Sequence, residues 1–173
     1  MLENIKVLIN EEKINDRLEE LAKEIEKDYK DEIVLISVLK GGVYFAIDLS
    51  KKITNNEVIL DFVKASSYGD GEKSTGKLDF TLDISTDIKG KDVLIVEDII
   101  DSGLTLNLLT KYLKEKEPRN LKICTLLNKE ARRKYEVKVD YNGFDIEDKF
   151  VIGYGLDYKG KYRNLPYIGY VEK

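Results

Sequence analysis

Two kinds of hydrophobic pattern alternate along the chain. Ile14, Leu18, Leu21, Ala22 and Ile25 recur at helical spacing, which predicts a helix with one apolar face. Asn10 is placed to cap it, and Glu11 and Glu12 suit a first turn that favours negative charge. Ile33-Val34-Leu35-Ile36-Ser37-Val38-Leu39 is instead an almost unbroken apolar run, the mark of a strand covered on both faces. It stops at Lys40-Gly41-Gly42, after which residues 43–52 return to a helical pattern. Residues 58–63 and 80–84 read as strands on either side of a polar, glycine-bearing stretch at 66–77. Val93-Leu94-Ile95-Val96 is a second strand of the buried kind. A helix follows it, with Leu106, Leu109 and Leu113 on one face, Leu108 and Tyr112 beside them, and Pro118 beyond its end. Residues 121–127, 137–141 and 150–154 complete the expected strands. Strands alternating with helices predict an α/β fold on a mainly parallel sheet.

Composition narrows the chemistry. A chain of 173 residues falls in the range of one compact domain, and no linker-like stretch, internal repeat or low-complexity tract divides it. A lone cysteine, Cys124, excludes an intramolecular disulfide. No basic leader and no long uncharged apolar run is visible, so a soluble cytoplasmic protein is expected. The formal charge is −4, with Lys and Arg scattered among Asp and Glu, which argues against a nucleic-acid partner and, with no spanning run, against a membrane partner. Histidine is absent. That removes His-based triads and the commonest zinc sites, leaves proton transfer to Asp, Glu, Lys or Tyr, and restricts any metal to a hard cation on carboxylates, such as Mg²⁺.

The densest candidate chemistry lies at 93–105. An apolar strand runs into Glu97 and Asp98, and Asp101-Ser102-Gly103-Leu104-Thr105 then opens a helix. In parallel sheets ligands bind beyond the carboxyl ends of strands. A short glycine-bearing loop with hydroxyls, feeding a helix N-terminus, suits a phosphate. Three acids beside such a cradle make sense only if the ligand also brings a cation, hydroxyl groups or a proton to be removed. Any one of these residues could be a simple cap or a solvated acid; the ordered string is harder to explain that way.

This string resembles the phosphoribosyl pyrophosphate (PRPP) signature of type I phosphoribosyltransferases, and with Glu97-Asp98-Ile99-Ile100-Asp101-Ser102-Gly103 it is most similar to the hypoxanthine-guanine branch. Ser102 stands where a threonine is common in relatives, keeping the hydroxyl. Leu39-Lys40-Gly41-Gly42 resembles that family's pyrophosphate loop, whose bond before the lysine is often cis. The resemblance further implies that Lys129 donates to the purine's exocyclic oxygen, that Phe150 stacks on the base and the Val151 backbone reads its edge, that Asp157 lies at the purine and helps hold Mg²⁺, and that Arg163 contacts pyrophosphate. It implies a type I phosphoribosyltransferase fold, a single domain over 1–173 with a central sheet flanked by helices and a small hood built from the chain ends, and assembly as a homodimer or homotetramer. Gly71-Glu72-Lys73-Ser74-Thr75-Gly76-Lys77 fits the start of a P-loop, but Leu78 replaces the Mg²⁺-binding hydroxyl and a strand-like segment follows. The stretch from Ser66 is expected instead to form a lid, with Ser67 and Tyr68 closing over the site.

The implied reaction is transfer of phosphoribosyl from PRPP to a 6-oxopurine. Glu97 and Asp98 would hold the ribose hydroxyls directly or through Mg²⁺, residues 101–105 the 5′-phosphate, Lys40, Gly41, Gly42 and Arg163 the pyrophosphate, and Asp101 would take the purine's ring proton. Two alternatives stand beside it: a relative that prefers xanthine or a pyrimidine, and a non-catalytic PRPP sensor.

Overall fold

The computed structural model describes residues 5–67 and 78–171. A six-stranded sheet carries the molecule, built from β2 (Glu32–Val38), β3 (Glu57–Ser67), β4 (Leu78–Leu82), β5 (Asp92–Ile100), β6 (Asn120–Asn128) and β7 (Tyr141–Asp145), in the order β4-β3-β2-β5-β6-β7. All neighbours are parallel except the β3–β4 pair. The α/β expectation therefore holds. The apolar runs predict why: β2 is buried at every position from Ile33 to Val38, because α1 (Glu11–Asp28) and α2 (Val43–Lys52) cover one face and α3 (Leu104–Lys114) covers the other.

The predicted apolar face of α1 is the observed one, with Ile14, Leu18, Leu21, Ala22 and Ile25 all buried and the Asn10 side chain accepting from the Lys13 N–H at 2.9 Å. Arg17 then ties this helix to β7 through the carbonyls of Asn142 and Gly143. Leu106, Leu109 and Leu113 of α3 pack with Val34, Ile36, Ile95 and Ile123 on the opposite face. Cys124 is buried inside the sheet, where desolvation pushes its thiol up and away from the reactive thiolate.

A second, antiparallel sheet is built from the two ends of the described chain, β1 (Ile5–Ile9), β8 (Val151–Ile152) and β9 (Ile168–Val171), in the order β1-β9-β8. Ile9, Val151, Tyr154, Leu156 and Ile168 join the α1–α2 core cluster, so this hood rests on the same apolar interior. No helix is long and apolar enough to cross a membrane among the described residues.

Several strand boundaries differ from the pattern-based reading, β3 among them, which runs on from the expected end at Val63 to Ser67. The strand expected at 137–141 begins only at Tyr141. Asp140 is the reason: its carboxylate accepts from the Ile123 N–H at 3.0 Å and its own N–H donates to the Ile123 carbonyl at 2.9 Å, so the chain joins the sheet just after it. Val137 and Val139 are apolar because they pack over the core beside α3. The run at 150–154 shrinks to Val151–Ile152, since Gly153, Tyr154 and Gly155 all take positive φ, which no strand accommodates. The strand expected at 80–84 sits two residues earlier, at Leu78–Leu82. The strand expected to end at Val96 runs on to Ile100, carrying Glu97 and Asp98 within it.

Leu94 lies at the centre of β5 with no exposed surface. Leu94→Ala should lower the unfolding free energy by about 2–5 kcal/mol through lost burial and the cavity left behind, measurable as a lower urea midpoint by circular dichroism.

Candidate active site

Two adjoining clefts open at the carboxyl ends of β5 and β6. The first, of about 690 Å³, is lined by Asp98, Asp101, Lys129, Phe150, Val151, Asp157 and Arg163, among others. The second, of about 280 Å³, is lined by Gly41, Glu97, Asp98 and the run Asp101 to Thr105, among others. Asp98, Ile99 and Asp101 belong to both. One acidic ridge thus separates a small polar cradle from a larger chamber walled by the hood.

The cradle follows from a sharp strand-to-helix turn. Gly103 sits at φ 84°, a left-handed conformation that glycine reaches without strain. A side chain there would also crowd the Tyr135 carbonyl and the Arg133 side chain. The loop is held from behind: the Lys134 and Tyr135 N–H groups both donate to the Ser102 carbonyl at 3.0 Å. Arg133 Nε donates to the Asp101 carbonyl at 3.4 Å, while its Nη2 lies 2.5 Å from Asn128 Oδ1. Leu104 and Thr105 form the first turn of α3, where a helix leaves its N–H groups without intrahelical acceptors. Among the side-chain atoms enclosed by protein, Asp101 Oδ1 has no hydrogen-bond partner.

On the other side of the ridge the turn after β2 presses against Asp98. The Leu39–Lys40 peptide bond is cis. A side chain at Gly41 would overlap the Asp98 carboxylate, and one at Gly155, at φ 99°, would overlap the Gly41 carbonyl. Asp98 Oδ1 accepts from the Ile99 N–H at 2.8 Å, and Glu97 Oε1 from the Asp98 N–H at 3.1 Å. Burial pushes the Glu97 carboxyl well above the usual carboxylate range, and the adjacent Asp98 charge pushes in the same direction. Burial raises Asp98 as well, opposed by the nearby Arg163 charge. Arg163 spans the chamber's rim, its Nη2 at 2.6 Å from Asp157 Oδ1 and its Nη1 donating to the Gly155 carbonyl.

The chamber's remaining wall joins hood and sheet. Lys129 directly follows β6 and is 7% exposed; its ammonium lies 3.9 Å from Asp148 Oδ1. Val151 is buried in β8. Phe150 is 54% exposed, packed edge-on against Tyr158 at 5.8 Å between ring centroids, and leaves a ring face for a planar partner.

The sequence-predicted residues therefore converge, with four exceptions. Lys40 is exposed and Gly42 is buried as the N-cap of α2, and neither lines a cleft. Gly42 serves packing, since a side chain there would crowd the Val38 and Val96 carbonyls. Tyr68 lies outside the described residues, as does the P-loop-like stretch at 71–77, and Ser67 is described only as the end of β3. Leu78 opens a strand, in keeping with the rejection of a P-loop. Asp148 and Arg132 line the chamber without having been singled out. The one signal for Arg132 is its spacing from Lys129, which a single 3₁₀ turn (Glu130–Arg132) converts into a shared side.

The phosphoribosyl transferase domain profile matches residues 6–159. The chain belongs to the phosphoribosyl transferase family. It is 46% identical over 174 residues to the hypoxanthine phosphoribosyltransferase of Escherichia coli (strain K12), covering 99% of this chain and 97% of that protein. It is 47% identical over 165 residues to the hypoxanthine-guanine phosphoribosyltransferase of Bacillus subtilis (strain 168), covering 95% and 91%. Among solved structures it is similar to a hypoxanthine-guanine phosphoribosyltransferase from Bacillus anthracis with a HEPES molecule in the active site, at a TM-score of 0.92 and 49% identity over 98% of this chain and 100% of that one. The type I fold expectation agrees with these.

Gly41→Ala tests the packing of this family site. The methyl group must displace the Asp98 carboxylate, so transfer activity should fall by about 10²-fold, the cost of roughly an ångström of misplacement. The thermal midpoint should move little, because what must shift is a carboxylate at the end of a side chain, and neither Gly41 nor Asp98 belongs to an apolar cluster.

Proposed function

We propose that the chain transfers the 5-phosphoribosyl group of PRPP to hypoxanthine or guanine, giving IMP or GMP and pyrophosphate in purine salvage. The observation that carries this reading is Asp101, which lines both clefts and keeps one enclosed carboxylate oxygen unpartnered. A base held in the chamber and a phosphate held in the cradle would meet across it.

The family resemblance suggests the roles, and the placement of the residues supports them. The loop from Asp101 to Thr105 grips the 5′-phosphate through the α3 N-terminus. Glu97 and Asp98, at the shared ridge, hold the ribose hydroxyls, and their negative charge favours the oxocarbenium character that develops at C1′. The Gly41 backbone and Arg163 serve the pyrophosphate, with Lys40 adding charge from the turn beside Gly41. Phe150 stacks on the purine, the Val151 backbone reads its edge, and Lys129 donates to a 6-oxo group that a 6-amino group could not replace, since donor would face donor. Asp101 accepts the ring proton, a task no histidine is present to take.

Mg²⁺ belongs to this proposal. Glu97, Asp98 or Asp157 would share the cation with substrate oxygens, as Mg²⁺ is commonly held by one or two carboxylates plus substrate phosphates. When bound, the ion neutralises the charge on the departing pyrophosphate. A homodimer or homotetramer in the cytoplasm, each copy acting as one domain over 1–173, completes the reading.

Incubation with PRPP, Mg²⁺ and each of hypoxanthine, guanine, xanthine and a pyrimidine base, with pyrophosphate release as readout, tests the function: release with the first two is expected, and none with any base would favour a PRPP sensor. EDTA should abolish release, and added Mg²⁺ should restore it. Asp101→Asn should lower kcat by about 10²–10⁴-fold; near-normal turnover by that variant would remove Asp101 from its role.

A further inference from the structure

One side chain outside the residues assigned above joins two acids of the chamber wall. Arg132 closes the 3₁₀ turn that follows Lys129. Its Nε lies 2.7 Å from Asp148 Oδ1, and its Nη1 lies 3.6 Å from Asp101 Oδ2. Asp148 Oδ1 is in turn 3.9 Å from the Lys129 ammonium. Asp101, Arg132, Asp148 and Lys129 thus form a chain of alternating charge along the chamber, and all four line it.

The chain has a clear electrostatic need behind it. The Lys129 side chain is only 8% exposed, and an ammonium so enclosed requires a counter-charge. Asp148 supplies that charge, yet its own side chain is 44% exposed, so nothing in the packing stops it from turning to solvent. Arg132 restrains it. A planar guanidinium anchored at two points holds its partner in a narrower range of orientations than a flexible ammonium would. The tie to Asp101 is long for a hydrogen bond and acts as a charge contact that keeps the guanidinium aimed across the chamber.

We propose that Arg132 is a positioning residue for the base: acting through Asp148, it fixes the Lys129 ammonium toward the exocyclic oxygen of the purine. This rests on the 6-oxopurine reading above. Arg132 itself touches neither base nor ribose in this scheme, so its loss should weaken base binding and leave the phosphoribosyl half of the site intact.

Steady-state kinetics at saturating PRPP and Mg²⁺ test this. Arg132→Gln and Asp148→Asn should each raise the KM for hypoxanthine on the order of tenfold, the size of one charge-assisted hydrogen bond, with the KM for PRPP unchanged and kcat affected less than KM. The double variant should be no worse than Asp148→Asn alone, because both changes cut one chain. Arg132→Lys, which keeps the charge, should recover part of the loss. The thermal midpoint of Arg132→Gln should match the wild type, since the Arg132 side chain is 54% exposed and exposed ion pairs add little stability. An unchanged hypoxanthine KM in Arg132→Gln, an equal rise in the KM for PRPP, or singles that simply multiply in the double variant would overturn the inference. If the wild type releases no pyrophosphate with any base, the functional reading itself fails; if it turns over hypoxanthine and only the variant pattern is missing, the role of Arg132 alone fails.

Discussion

The site depends on the contact between Gly41 and the carboxylate of Asp98. Because position 41 carries no side chain, the turn after β2 can lie directly on the acid at the end of β5, and Gly155 can approach the Gly41 carbonyl from the hood. Three segments distant in sequence are brought together by two missing side chains. Everything downstream is arranged around that junction: the cradle lies on one side of Asp98, the chamber on the other, and Arg163 reaches across from the turn that precedes β9.

Parallel-sheet geometry explains why the charges gather here. β2, β5 and β6 all point their carboxyl ends at the same edge, so Gly41, the acids from Glu97 to Asp101, and Lys129 arrive together without long loops. The same crowding leaves Glu97 and Asp98 side by side in a desolvated setting, which raises both carboxyls. A ligand that brings positive charge or hydroxyl donors would relieve this; an isolated phosphate would not. The acidic ridge and the anion cradle are thus complementary parts of one recognition surface.

How much of this was legible in the residues depended on the length and purity of each pattern. β2, β5, α1 and α3 carry long, consistent apolar repeats, and all four could be read directly. β1 and β9 could not: Val7 is 54% exposed, and Ile168–Val171 is a short stretch containing a glycine. Each is stabilised by pairing with the other, an interaction no local pattern reports. β7 was misplaced because Val137 and Val139 are apolar for packing against α3, while the true strand contains Asn142 and Gly143, poor strand formers by themselves. In the site, the cradle was legible because its chemistry is contiguous. Asp148 and Arg132 were hidden because their meaning lies in a meeting across the chamber, and because charged residues flanking a strand look like ordinary solvated surface.

The hood has a consequence for how the protein comes into being. Tyr170 and Val171 help line the chamber, and β9 bridges β1 to β8. Every residue that lines the cradle between β5 and α3 lies at or before Leu106, whereas the chamber has no far wall until the strand at Ile168–Val171 has been synthesised and has found its partner from the opposite end of the chain. A growing polypeptide would therefore present a phosphate pocket well before it could hold a base.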